Sequence, residues 1–422
     1  MLDIVAIGLS VTALLAYINY RFIGLPTTIG VMVTALTLSL AIVGLDALGI
    51  AHLPKLFARS FVDSIDFSEL LLQGMLSLLL FAGALHVNLA RLRRYRLQIL
   101  ALAFVSTAAS TVIVGAAVWF VSPYLHLELP LPYCLLFGAL ISPTDPVAVM
   151  GLMRTSGSPP ELETVITGES LFNDGVGVVL FSLIMVLVNS GRAPSPSVGA
   201  LDLLREAGGG MVFGAALGFV MYRLLKSVDQ YQVEVLITLA GVLAGYAAAI
   251  HLGVSGPLAM VVAGVLTGNR AREHAMSETT RRYVDMFWEI IDEILNALLF
   301  VLIGLEVLLI AFPARVIVAG LVAFAVSVLS RLITVGAPVA LAGRHFDLPA
   351  GSWKVLTWGG LRGGISVALA LSIPAGPARD SILAITYCVV VSSIMIQGLT
   401  IAPVVRNALR PASVSRSADD GS

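Results

Sequence analysis

Long apolar stretches alternate with short polar connections along almost the whole chain. About thirteen of these stretches are long enough to cross the roughly 30 Å hydrocarbon core of a bilayer as helices. They lie near residues 3–20, 27–45, 69–88, 97–122, 132–152, 161–189, 201–222, 232–250, 255–269, 284–311, 314–341, 351–373 and 380–405. A membrane β-barrel needs ten-residue strands of alternating polarity, and these continuous runs lack that period. The pattern therefore predicts an all-α membrane protein with about thirteen transmembrane helices.

The composition excludes several other classes of protein. Of the 422 residues, 58% are hydrophobic and 12% are charged, whereas soluble domains carry about 25% charged residues. The net charge of −1 and the scattered basic residues argue against a nucleic-acid partner. Cys134 and Cys388 both lie in apolar runs, so neither a disulfide framework nor a metal-ligand spacing is expected. The apolar N-terminus has an early acid and no small-residue cleavage site, which predicts a first membrane helix, not a removed signal peptide.

Basic residues are concentrated in alternate connections, and this asymmetry predicts the orientation in the membrane. Two such clusters are Arg91, Arg93, Arg94 and Arg96, and Arg270, Arg272, Arg281 and Arg282. Because cytoplasmic loops carry the excess of Lys and Arg, we expect the N-terminus outside and the C-terminus in the cytoplasm. Residues 408–422 are predicted to form a short cytoplasmic tail.

The sequence PTDP, residues 143–146, interrupts an otherwise apolar span. Pro143 and Pro146 each lack an N–H group, so the helix should unwind around Thr144 and Asp145. Broken backbone at membrane depth is tolerated only where it is buried in protein or lines a cavity. Freed carbonyl oxygens, a hydroxyl and a carboxylate form a set of oxygen ligands suited to an alkali cation.

The next span contains GESLFNDGVG, residues 168–177, with two carboxylates at membrane depth. Ser170 and Asp174 are four residues apart and share one helix face, which can look toward Asp145. Glu169 and Asn173 share the neighbouring stripe. Because Glu169 and Asp174 are about 140° apart, they should have separate roles, and Glu169 should find a cationic partner.

GGLRGG, residues 359–364, forms a second interruption in a late apolar span. Its glycines weaken the helix and allow another backbone to approach closely. Arg362 is always charged and needs a carboxylate or free carbonyl groups inside the membrane, and Glu169 is its candidate partner. Breaks at comparable places in two chain halves indicate inverted repeats around a midplane site.

An acidic stripe precedes the apolar part of the tenth span. Its members are Asp285, Glu289, Asp292 and Glu293. This stripe could attract cations toward the site, or it could be a solvated helix face.

These motifs together resemble the monovalent cation:proton antiporters of the NhaP/NHE type. The resemblance rests on residues 143–146 and 168–174, on the run FWEIIDEILNALLFVLIGLE at 287–306 and on residues 359–364, and it extends from about residue 5 to 406. It implies the sodium/proton antiporter fold, in which a core domain with two crossed, broken helices stands beside a dimerisation domain. The exchanger domain would then cover residues 1–407. Core helices would lie near 69–189 and 284–405, and dimerisation helices near 3–45 and 201–269.

The resemblance also implies roles for individual residues, named at the end of this paragraph. Four residues would bind the cation and the proton, and four others would support the site. Among the supporting residues, Glu169 would pair with Arg362. Asn173, where electrogenic relatives carry Asp, implies an electroneutral exchange. The third span has Ala82 where many relatives have an acid, which leaves the choice among Na⁺, K⁺ and Li⁺ open. The ion-binding residues are Asp145, Asp174, Thr144 and Ser170, and the supporting residues are Asn173, Glu169, Arg362 and Arg331.

The implied function is a secondary antiporter that exchanges Na⁺ for H⁺ across the bacterial plasma membrane as a homodimer, without a cofactor. A K⁺-selective exchanger and a cation channel are the alternatives, although no carbonyl-ring sequence typical of a K⁺ filter occurs. An intramembrane enzyme is not expected, because the chain has neither HExxH nor GxSxG spacing.

Overall fold

The computed structural model describes residues 2–25, 27–47, 74–146, 149–151, 153, 158–190, 196–306, 313–342 and 347–408. Within these ranges the chain is helical apart from short connections, and it forms no strand. The predicted all-α class is therefore confirmed. The predicted tail after residue 408 and parts of the third, fifth and tenth predicted spans lie outside the described residues.

The described α-helices of five or more residues lie in the following order along the chain. They are α1 (Leu2–Ile18), α2 (Thr27–Ala47), α3 (Leu76–Leu85), α4 (Leu89–Arg94), α5 (Arg96–Leu100), α6 (Thr107–Val121), α7 (Leu131–Ile141), α8 (Pro160–Ser190), α9 (Pro196–Leu203), α10 (Gly209–Leu225), α11 (Tyr231–His251), α12 (Gly256–Leu266), α13 (Glu278–Glu306), α14 (Ala314–Arg331), α15 (Ala337–Leu341), α16 (Ser352–Trp358), α17 (Gly364–Leu371), α18 (Pro377–Ser392) and α19 (Leu399–Ala408). Short π-helical turns join several of them into longer rods, such as Ala101–Ser106 between α5 and α6.

Length and polarity mark many of these rods as membrane spans. Among the described residues, seven helices are long and apolar enough to cross a bilayer, and three shorter apolar helices accompany them. Large apolar side chains cover the outer surface, as at Leu97 (72% exposed) and Val212 (71% exposed). A water-soluble protein would bury contiguous surface of this kind, whereas lipid solvates it. The chain is a multi-pass membrane protein, and its count of thirteen spans stays a prediction.

Two spans are interrupted where the sequence predicts it. Helix α7 ends at Ile141, before Pro143, and α16 ends at Trp358, before the glycine-rich segment that leads into α17. The two interruptions lie side by side, because the Asp145 N–H donates to the Leu361 carbonyl at 2.8 Å. Each unwound backbone thus supplies a hydrogen-bond partner for the other, which membrane depth requires.

Helix α8 crosses the molecule beside these interruptions. It begins with Pro160, whose missing N–H costs nothing in the first turn, and Glu161 and Glu163 lie in that turn, where the helix dipole favours acids. Gly177 of α8 lies against the ring of Pro143, where a Cβ atom would clash. The missing side chain therefore lets α8 approach the first interruption closely.

Candidate functional site

A cavity of about 120 Å³ lies where the two interrupted spans meet α8. Thr144 and Asp145 line it from the first interruption, Gly363 lines it from the second, and Asp174 lines it from α8. The predicted meeting of Asp145 with Asp174 is therefore present in the structure. Asp174 is 8% exposed, and the two negative charges are close enough to repel each other.

Hydrogen bonds connect the first interruption to α8. The Thr144 N–H donates to Asn173 Oδ1 at 3.3 Å, and Asn173 Nδ2 donates to Thr144 Oγ1 at 2.9 Å. The Thr144 and Ser170 hydroxyl oxygens are 3.1 Å apart. Thr144, Ser170 and Asn173 are all buried. Asn173 thus replaces the backbone partner that Thr144 loses where the helix unwinds, and the loop beside Asp145 keeps one conformation.

The second interruption brings a helix N-terminus to Asp145. A Cβ atom on Gly363 would lie 2.5 Å from Asp145 Oδ2, so only glycine leaves room for the carboxylate. Helix α17 begins at the next residue, Gly364. The N-terminus of α17 therefore lies beside the Asp145 carboxylate.

Glu169 forms a buried ion pair on another side of α8, and its partner is Arg331. Arg331 Nη1 donates to Glu169 Oε1 at 2.7 Å, and Arg331 Nη2 donates to Glu169 Oε2 at 2.9 Å. Arg331 Nε also donates to the Leu356 carbonyl at 2.9 Å. The predicted pair of Glu169 with Arg362 is therefore wrong, although the predicted need of Glu169 for a cation is met.

Arg362 instead binds two carbonyl groups of the first interruption. Its Nη1 donates to the Ser142 carbonyl at 2.6 Å and to the Pro143 carbonyl at 3.1 Å. In a continuous helix the Ser142 carbonyl would accept from residue 146, but Pro146 has no N–H. This unpaired carbonyl recruits Arg362, and Arg331 remains available for Glu169.

Five charged groups at the two interruptions, on α8 and on α14 sum to one net negative charge, not counting Asp292 of α13. Asp145, Asp174 and Glu169 supply three carboxylates, and Arg331 and Arg362 supply two guanidinium groups. A single bound monovalent cation or a single proton would neutralise the set. Because an uncompensated charge in low-dielectric surroundings is costly, occupancy by one such ion is strongly favoured.

The four acidic residues of the stripe on α13 have different surroundings. Asp285 pairs with Arg272, and Glu289 and Glu293 are exposed, as expected for a solvated face. Asp292 differs, because it lines the cavity together with Asp174.

The sequence motifs do not include two further polar residues of the cavity. Asn296 of α13 is 3% exposed, and Ser366 of α17 is 1% exposed. The sequence feature that could have identified Asn296 is its position one helical turn after Asp292. On α3 the cavity lining consists of Leu76, Leu79, Leu80 and Gly83. Ala82 is buried and is not among these lining residues.

Comparison with known proteins gives consistent matches over the chain. The family described as "Sodium/hydrogen exchanger, transmembrane" matches residues 10–407. The Na(+)/H(+) antiporter NhaP of Pseudomonas aeruginosa is 52% identical over 411 residues, which cover 96% of each chain. The Na(+)/H(+) antiporter NhaH of Halobacillus dabanensis is 34% identical over 382 residues, covering 88% of this chain and 91% of that protein.

A solved structure shares the fold. The sodium proton antiporter MjNhaP1 of Methanocaldococcus jannaschii superimposes with a TM-score of 0.73 at 19% sequence identity, covering 96% of this chain and 98% of that chain. At this level of identity the likeness establishes the fold alone, and the roles of individual residues rest on the geometry above.

Proposed function

This chain belongs to the sodium/hydrogen exchanger family, and we propose that it exchanges Na⁺ for H⁺ with Asp174 and Asp145 as the ion-binding carboxylates. The family consists of secondary transporters, so the protein is not an enzyme. The gradients of the two ions supply the free energy, and no cofactor is required.

The observation that carries the residue assignment is the shared cavity of Asp145 and Asp174. Thr144 and Ser170 add hydroxyl oxygens beside it, and Asn173 braces the loop. Sodium prefers such hard oxygen ligands. The same carboxylate oxygens can bind protons, so the two ions compete for one place.

Competition between Na⁺ and H⁺ for the same carboxylates explains why the Na⁺ flux and the H⁺ flux are coupled. Without a bound ion, the set formed by Asp145, Asp174, Glu169, Arg331 and Arg362 carries one net negative charge, and moving that charge through apolar surroundings is unfavourable. Binding of either one Na⁺ or one H⁺ makes the set neutral and permits movement between the two sides of the membrane. One proton would then exchange for one cation, which is the electroneutral stoichiometry expected from Asn173.

Glu169, Arg331 and Arg362 support this arrangement without binding the transported ion. The Glu169–Arg331 pair joins α8 to α14, and Arg362 holds the Ser142 and Pro143 carbonyls in place. Both contacts are buried and keep the first interruption in one conformation.

We also propose an assembly and a location for the protein. We assign the protein to the bacterial plasma membrane as a homodimer, with the N-terminus outside and the C-terminus in the cytoplasm. The distribution of basic residues supports this orientation. The predicted dimerisation region includes α10 and α11, whose outward faces are apolar, as at Val212 and Leu236. A channel is not favoured, because the relatives are named antiporters and the oxygen ligands lie in one cavity beside the interruptions.

The test is Na⁺-driven proton movement in liposomes that contain purified protein and a trapped pH dye. Wild type should release protons when Na⁺ is added. Asp174→Asn and Asp145→Asn should each abolish the signal, because the amide retains the shape and loses the charge. Glu293→Gln is the matched control, since Glu293 is an exposed acid outside the cavity.

Two outcomes would contradict the proposal in different ways. Sodium-dependent proton release by Asp174→Asn would refute the role of that carboxylate. Single-channel currents, or Na⁺ flux without proton flux in wild type, would refute exchange. Li⁺ and K⁺ gradients applied to the same vesicles determine the ion preference.

A further inference from the structure

The hydroxyl group of Ser366 is buried and has no hydrogen-bond partner among the residues that the structure describes. Ser366 is 1% exposed, and its Oγ atom is unpaired. Other buried hydroxyls in this protein donate to the carbonyl four residues back, as Thr34 and Thr386 do. Ser366 is the third residue of α17, so the residues three and four positions back lie in the unwound segment before it. The local acceptor that usually satisfies a helical serine is therefore missing.

The position of Ser366 on its helix directs it toward the cavity. It lines the same cavity as Asp174. Gly363, the extended residue immediately before α17, lines the same cavity, and a Cβ atom on Gly363 would lie 2.5 Å from Asp145 Oδ2. An unpaired hydroxyl oxygen is thus placed on the side of α17 that faces the ion-binding carboxylates.

Asp292 contributes a third carboxylate to this cavity from α13. Asn296 Nδ2 donates to Asp292 Oδ1 at 3.1 Å and to the Asp292 carbonyl at 2.9 Å. Asn296 is therefore a positioning residue that restricts the Asp292 side chain. Leu299 lies against Gly364 at the second interruption, and Asp292 precedes it by seven residues. At 1.5 Å per residue, Asp292 is about 10 Å along α13 from that level.

We propose that Asp292 and Ser366 are further ligands of the transported cation. Asp292 binds the cation at the outer end of the cavity, and Ser366 adds a hydroxyl oxygen to its coordination beside Asp145 and Asp174. This inference rests on the proposed exchange function and adds two contacts to it. All the groups involved are oxygen ligands, as a monovalent alkali cation requires.

The test is the Na⁺ dependence of proton release by full-length protein in liposomes. Ser366→Ala should raise the KM for Na⁺ by about threefold to tenfold, the usual effect of one lost polar contact. Asp292→Asn should raise it about tenfold or more, because a charged ligand is lost. The larger part of each effect should lie in KM, since saturating Na⁺ offsets weaker binding.

Matched controls lie beside each residue. Ser372 directly follows the last residue of the same helix, and its hydroxyl donates to the Leu369 carbonyl outside the cavity. Ser372→Ala should therefore retain the wild-type KM for Na⁺. Glu293→Gln serves the same purpose for Asp292. Ser366→Cys has nearly the same shape with a poor alkali-ion ligand, and it should also raise KM, whereas Ser366→Thr restores the hydroxyl.

The outcomes separate this inference from the proposed function. An active wild type with an unchanged KM in Ser366→Ala and Ser366→Cys would overturn the assignment of Ser366. An unchanged KM in Asp292→Asn would overturn that of Asp292. A wild type without Na⁺-dependent proton release would instead refute the exchange function itself.

Discussion

Replacing Glu169 by Gln should strongly destabilise the fold, because it leaves the Arg331 guanidinium buried without its carboxylate. The two groups form two charge-assisted hydrogen bonds, at 2.7 and 2.9 Å, and their side chains are 1% and 8% exposed. Breaking a buried pair of this kind costs about 3–5 kcal/mol of unfolding free energy. Arg331→Gln should cost at least as much, since it also removes the donor to the Leu356 carbonyl.

A double-mutant cycle identifies the partner of Glu169. Once one partner is removed, removing the other causes little further loss, so Glu169→Gln and Arg331→Gln should couple by nearly the full loss of either variant, about 3 kcal/mol or more. Glu169→Gln and Arg362→Gln should couple less, because Arg362 donates to the Ser142 and Pro143 carbonyls. The assay is an unfolding titration of purified protein in detergent micelles.

The control is the exposed ion pair between Arg94 and Asp347, whose side chains are 68% and 61% exposed. Asp347→Asn should leave the unfolding midpoint nearly unchanged, since water screens such pairs. Strictly additive losses for Glu169 and Arg331, or a stronger coupling of Glu169 with Arg362, would refute the reasoning.

Two further predictions concern transport in liposomes. Gly363→Ala should reduce exchange by at least about tenfold, because its methyl group displaces the Asp145 carboxylate. Gly376→Ala is the control, where a Cβ atom meets nothing within 4 Å, and equal rates for the two variants would contradict the prediction. Because Asn173 carries no charge, an imposed membrane potential should leave the exchange equilibrium unchanged. Moving one net charge through 100 mV would be worth about 2.3 kcal/mol, so a dye-reported shift would disprove one-to-one exchange.

Local covalent constraints explain what could be predicted from the sequence. Apolar runs of bilayer length can only be helices in lipid, and Pro143 and Pro146 cannot donate the hydrogen bonds of a helix. The interruption at Thr144 and Asp145 follows directly. Helical spacing likewise places Ser170 and Asp174 on one face, and the structure brings both residues to the first interruption.

The tertiary structure decided which distant groups meet. Helical spacing shows that Glu169 points away from Asp174, but it does not show which helix faces it there. Arg331, 162 residues later in the chain, occupies that place, and Arg362 is held by the Ser142 and Pro143 carbonyls. The same limit applies to Asp292, which shares a sequence stripe with solvated acids and yet lines the cavity. Periodicity determines directions around one helix axis, whereas the choice of partner depends on how the helices pack against one another.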